Sequence, residues 1–265
     1  MRSLQFRNFA LGFSLFILMG FLFESCETPI PEENHKLTRE FSHKVITDWN
    51  ETYLILERYA DLFRPCPTAR ALGYISFAVY ETCLPGMPDY QSMRHQIIEI
   101  APGDQIPVLE DRTGINYPIA VNQVYAHLMR RFFDKVVWKN YSREEAMKLI
   151  DETESKLLQS LSKDVQDNAN KSKFINNSQA WGNEVARAVW NWAETDEKAK
   201  SAHFSTADAR PHTNGEKGPN RWQSANPTVA GLFPYWGETR AFALRHDRML
   251  INPPAFDMYT EAINS

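Results

Sequence analysis

FSHKVITDWNETYLILERYADLF, residues 41–63, decides the fold class. Its apolar side chains fall at Phe41, Val45, Trp49, Tyr53, Leu56, Ala60 and Phe63, three or four residues apart. That spacing lines them along one face of a long amphipathic helix, because an α-helix turns once in about 3.6 residues. Arg64, Pro65, Cys66 and Pro67 end it, since proline cannot continue a helix from within.

The same signal repeats along the chain. A second helix is expected from about Thr68 to Cys83, with alanine and aromatic residues on nearly all sides, the pattern of a central, well-covered helix closed by Pro85, Gly86 and Pro88. Residues 101–114 carry Pro102, Gly103, Pro107 and Gly114 and read as a loop. A third helix runs from about Pro118 to Asp134 with Val121, Val124, Tyr125, Leu128 and Phe132 inward. Ser142 and Glu145 form a capping box, in which serine and glutamate satisfy each other's free backbone N–H groups. The helix they start keeps Ala146, Ile150, Thr153, Leu157 and Leu161 on one stripe, and another from about Ser178 to Ala193 does the same with Trp181, Val185, Ala188 and Trp192. No stretch reads as a strand. The expectation is an all-α bundle of about five helices over residues 37–196.

After Asp196 the character changes. Residues 197–265 hold Pro211, Pro219, Pro227, Pro234, Pro253 and Pro254 with four glycines, which makes a long irregular arm. Trp222, Phe233, Tyr235, Trp236 and Phe242 are too many aromatics for a solvated linker, so the arm is expected to pack across the bundle.

The N-terminus reads as an export signal over residues 1–26. Arg2 and Arg7 precede an apolar run from Phe9 to Phe23, too short to span a bilayer comfortably where about 20 apolar residues are needed. Cys26 follows the small residue Ser25, as in the lipobox of bacterial lipoproteins, and is the expected lipidation site. Phe23 and Glu24 depart from the usual lipobox, which leaves ordinary signal cleavage or an uncleaved anchor as alternatives. Residues 27–36, with Pro29, Pro31 and three glutamates, read as a tether to the membrane. The protein is therefore expected in the bacterial cell envelope. A net charge of −4, with cations scattered along the chain, argues against a nucleic-acid partner.

Cys66 and Cys83 flank the expected second helix, whose ends would lie about 25 Å apart. A disulfide requires Cα atoms within about 7 Å, so bonding between these two is not expected. The seven histidines show no i, i+4 pair and no carboxylate companion at metal spacing, so no metal site is expected. His127 falls off the core stripe and reads as a polar neighbour of Arg130 and Arg131, and His246 beside Asp247 is a sequence neighbour rather than a facing base. Arg70 sits in an apolar helix, where a guanidinium needs carboxylate or carbonyl partners. Glu57, Asp61 or Glu81 could make it a structural ion pair.

Three blocks of sequence, in order, resemble the haloperoxidase-like branch of the type 2 phosphatidic acid phosphatase superfamily. The first is a Trp49-containing helix, the Pro65 to Pro67 break, Ala69, Arg70, Ala78 and Tyr80, then Tyr90, Ser92 and Met93. The second is Trp181, Gly182, Val185, Ala186, Val189, Trp192 and Asp196. The third is the Gly, Trp and Pro run through Gly218, Pro219, Arg221, Trp222, Pro227, Phe233, Trp236, Gly237, Phe242, Leu244, Pro253 and Pro254. The resemblance implies the N-terminal half of a vanadium-dependent haloperoxidase-like or acid phosphatase-like protein. In that family vanadate or phosphate is held by a lysine and arginine before a proline, a Pro-Ser-Gly-His run, and a later arginine and histidine. All follow the third block and none is present in these 265 residues.

Two near misses, Arg64 with Pro65 and the Ser201, Ala202, His203 run, lack the flanking residues of those motifs. No catalytic, cofactor-binding or metal-binding residue is therefore assigned, and the chain is expected to show no turnover alone. The implied partners are the membrane, through the N-terminal lipid, and a catalytic half or a second copy. The competing reading is a lipid-anchored binding protein that offers the aromatic arm, Trp222 to Trp236, to sugars or peptides.

Overall fold

The computed structural model describes residues 36–95, 106–110, 112, 114–165, 169–199, 236 and 239–242. The export signal, Cys26 and most of the tether and arm lie outside the described residues. Five α-helices form the described fold: α1 Lys44–Tyr59, α2 Cys66–Cys83, α3 Tyr117–Phe133, α4 Arg143–Lys163 and α5 Lys171–Glu194. Among the described residues the only extended pairing is an isolated antiparallel bridge between Ala60 and Trp138. The protein is an all-α helical bundle, and none of the described helices is long and apolar enough to cross a membrane.

α1 stops earlier than its apolar stripe. Ala60 turns extended, at φ −80° and ψ 109°, and the chain is then tied to the α3–α4 connection. Asp61 N donates to Val137 O at 2.8 Å and Lys139 N to Tyr59 O at 2.9 Å. Ala60 and Phe63 remain buried, so the stripe continues by packing after the helix has ended, with Phe63 stacked on Phe133 at 4.8 Å. Pro67 lies in the first turn of α2, where a missing N–H costs nothing. The helix therefore starts at Cys66, inside the stretch that reads as a break. Cys66 and Cys83 stand at its two ends as free thiols, and burial pushes the Cys83 thiol up to about 12.

The central helix is α3 rather than α2, since α3 packs against all four others. Buried residues surround it, Ile119, Ala120, Asn122, Ala126 and Met129 as well as the expected stripe. Asn116 caps it by accepting from Ile119 N at 3.1 Å, and Ser142 with Glu145 closes the expected capping box on α4. α1 and α4 pack together on one side of α3, while α2 and α5 pack together against it as well.

α5 begins at Lys171 rather than near Ser178. Ser178 lies inside the helix, where its hydroxyl donates back to Phe174 O at 2.6 Å and accepts from Asn116 N at 2.8 Å. The buried hydroxyl is satisfied twice, which lets a residue typical of helix starts occupy an interior position. One turn on, Gly182 permits α5 to lie against α3, because a Cβ there would collide with the Ala120 carbonyl.

Candidate functional site

The C-terminal end of α5 is where the chain gathers charge in an apolar setting. The last carbonyls of a helix have no intrahelical donor and form the negative end of its dipole, so cations are drawn there. Two arginines occupy the position. Arg70 of α2 donates from Nη2 to Ala193 O at 2.7 Å, and Arg240 of the arm donates from Nη1 to Trp192 O at 2.7 Å. Arg240 Nη2 also reaches Thr195 Oγ1 at 2.6 Å, and its guanidinium lies 5.0 Å from the centre of the Trp192 ring.

Asp196, immediately after the helix, accepts from Ala199 N at 3.1 Å through one oxygen and from Arg240 N at 2.8 Å through the other. Both bonds are to backbone, so Asp196 fixes the course of the chain and brings the arm to α5. Phe242 then seats against Tyr74 and Trp192, with ring centres 4.7 Å and 5.5 Å away. Gly73 gives the Phe242 ring its room on α2, since a Cβ there would press on it.

These residues enclose a partly open cavity of about 360 Å³, lined by Ala69, Arg70, Tyr74, Asp196, Ala199, Trp236 and Thr239 to Phe242. Such a volume lies in the range of small-molecule pockets, roughly 300–1,000 Å³. Arg70 is 4% exposed, and among the described residues its Nε and Nη1 have no hydrogen-bond partner. The faces of Tyr74 and Phe132, 5.2 Å and 5.6 Å from the guanidinium carbon, offer the charge partial compensation. Burial pulls the Arg70 pKa below its ordinary value, against the attraction of Tyr74, Asp196 and Glu194 and with the help of the nearby Arg240. The site is thus short of an acceptor.

The ion pair expected for Arg70 with Glu57, Asp61 or Glu81 is absent. Glu57 is bound by Arg64 Nη2 at 2.5 Å and by Thr68 Oγ1 at 2.7 Å. Glu81 receives Ser92 Oγ and Met93 N, both at 2.8 Å, and so anchors the segment after α2, while Asp61 is exposed. Arg70 instead takes the carbonyl partner that its helical setting also allowed. Arg64 is a largely exposed residue whose pKa is raised by its bond to Glu57, which leaves it serving the α1–α2 corner.

His127 lies 3.4 Å from Asn183 Oδ1, and burial lowers its pKa, with Arg131, Arg130 and Arg187 adding to the effect. Among the described residues no three His, Cys, Asp or Glu side chains come together as a metal site would require. Cys26, Ser201, Ala202 and His203, and the Trp222 and Tyr235 rings, lie outside the described residues; Trp236 is half-buried on the cavity wall. Sequence reasoning missed Arg240 as a site residue. Its partners Trp192, Thr195 and Asp196 are more than forty residues upstream, and no local pattern marks it.

No family model, no curated protein and no solved structure matches this chain.

Proposed function

We propose that this bundle is the supporting helical part of an exported haloperoxidase-like or acid phosphatase-like protein, anchored to the membrane through Cys26, and that it turns over neither halide nor phosphate ester by itself. The observation that carries the reading is the meeting of the three sequence blocks. Arg70 of the first bonds to α5 at Ala193, beside Trp192 of the second. Trp181 of the second donates to Thr82 O of α2 at 3.0 Å. Phe242 of the third seats on Tyr74 and Trp192. Blocks that lie apart in the sequence thus form one packed unit, as parts of one ancestral scaffold should.

The absence of turnover follows from chemistry. A trigonal oxyanion needs several converging cationic donors and a histidine as nucleophile or axial ligand. Arg64, one of the two near misses, is engaged with Glu57 and largely exposed. The purified full chain, given vanadate, peroxide and bromide, or a chromogenic phosphate ester, should show no activity above background. Turnover that disappears in Arg64→Ala or His203→Ala would overturn the proposal.

The second reading, a lipid-anchored binding protein, is favoured by one specific observation. Trp236, Tyr74 and Phe242 share the wall of a cavity that also holds a buried cation.

A further inference from the structure

We propose that the end of the bundle where the chain enters from the tether lies against a phospholipid surface, with Tyr90 and Val108 as the residues that touch it. This placement rests on the reading of Cys26 as a membrane anchor, and it names the face of the bundle that meets the membrane.

Three observations carry it. First, the entry of the chain is fixed at one end of the bundle. Thr38 Oγ1 donates to Cys83 O at 2.7 Å, at the end of α2, and the Phe41 ring meets that of Tyr117, the first residue of α3, edge-on at 6.2 Å. The chain from Cys26 to Lys36, even fully extended, places no more than about 35 Å between them. A lipid on Cys26 therefore keeps this end near the bilayer. Second, the two most exposed large hydrophobic side chains of the described residues, Tyr90 at 63% and Val108 at 62%, stand at this same end. Both line one open groove of about 230 Å³, together with Leu84 beside Cys83, Met87, Pro88 and Leu109. Exposed apolar groups gathered at one spot mark an interaction surface, and a tyrosine, apolar in body and polar at its tip, suits the headgroup level of a bilayer. Third, neither side chain stands on a loose segment. Tyr90 N donates to Met87 O at 3.1 Å, Tyr80 Oη donates to Gln91 O at 2.6 Å, and Glu81 holds Ser92 and Met93. Two residues before Val108, Ile106 is buried in the core. Side chains presented on a fixed backbone lose little freedom on docking. Arg112, Asp89 and Glu110 are exposed beside the groove and carry both signs, so the contact is apolar and should form on neutral phospholipid. Leu62 and Val137 are exposed too, but beyond the far end of α3, a helix about 25 Å long.

The test uses the full chain from a bacterial host that acylates lipoproteins, reconstituted on phosphatidylcholine vesicles with a small share of a diazirine-bearing phospholipid. Flotation reads the anchor, and after illumination mass spectrometry reads which residues the lipid touches. Adducts should fall in residues 84–94 and 106–112, several-fold above those in residues 131–142 at the far end. Tyr90→Glu combined with Val108→Glu should lose these adducts while keeping flotation and the circular dichroism of the parent. Should that variant fail to fold, the parent's adduct map decides alone. A chain that does not float would overturn the anchor and the placement with it. A chain that floats with no excess of adducts in the two segments over residues 131–142, or with adducts undiminished in the folded double variant, would overturn the placement and leave the anchor standing. A dimer in light scattering with the groove free of lipid adducts would assign the groove to a second copy, and would overturn the placement as well.

Discussion

Asn122 shows how a single buried amide can tie three helices. It sits in α3, accepts from Trp49 Nε1 of α1 at 2.8 Å, and donates from its Nδ2 to Glu154 O of α4 at 3.1 Å. The Trp49 ring meanwhile stacks on Tyr125, at 5.7 Å and nearly parallel. Asn122→Leu preserves volume but strands the Trp49 indole N–H away from water, while the Glu154 carbonyl keeps its place in the α4 hydrogen-bond ladder. A stranded buried donor costs about 1–3 kcal/mol and the lost amide bond to the carbonyl about 1 kcal/mol more, against a gain in apolar burial of about 1–2 kcal/mol, so the variant should be less stable by about 1 kcal/mol. In urea unfolding the midpoint should fall with the slope unchanged; an unchanged midpoint would show that the network is not formed. Contacts of this kind were invisible in the sequence, because Asn122 lies 73 residues from Trp49 and no spacing rule connects them. Ser142 and Glu145 were legible for the opposite reason: a capping box is local, and three residues settle it.

At the scale of elements, the close approach of α3 and α5 rests on Gly182. Replacing glycine by alanine in an exposed helix should stabilise by up to about 1 kcal/mol. Here the new methyl would run into the backbone carbonyl of Ala120, which cannot swing aside as a side chain can. Overpacking costs about 1–3 kcal/mol, so the collision should win and Gly182→Ala should lower the thermal midpoint. A raised midpoint would mean that the helices are farther apart than described. Existence and order of the helices were readable from the apolar period, but their ends were not. α1 gives way at Ala60 to a bridge with Trp138, and α5 extends back past Ser178 to Lys171. In both places a tertiary contact outweighed the local signal. The centre was also misplaced by the sequence pattern. Alanines and aromatics around α2 suggested full cover, yet it is α3, with polar Asn122 and Gln123 hydrogen-bonded inside, that every other helix touches.

At the scale of the whole molecule, the arm converts a bundle into a bundle with a cavity. The sequence made its packing expected, from aromatic content alone. Where it lands depends on Asp196, Arg240 and Gly73, residues whose roles appear only once α2 and α5 lie side by side. Arg70 was legible as a buried cation in need of a partner; that its partner would be the end of α5, with donors left over, was not. The scaffold reading depends on the arm being held there. The most direct measurement is therefore the unfolding free energy of Phe242→Ala in the full chain. Truncating a fully buried phenylalanine costs about 3–5 kcal/mol, and a half-buried ring between Tyr74 and Trp192 should cost about half that. A loss of about 2 kcal/mol is the result predicted, and stability equal to the parent's would contradict the docking of the arm.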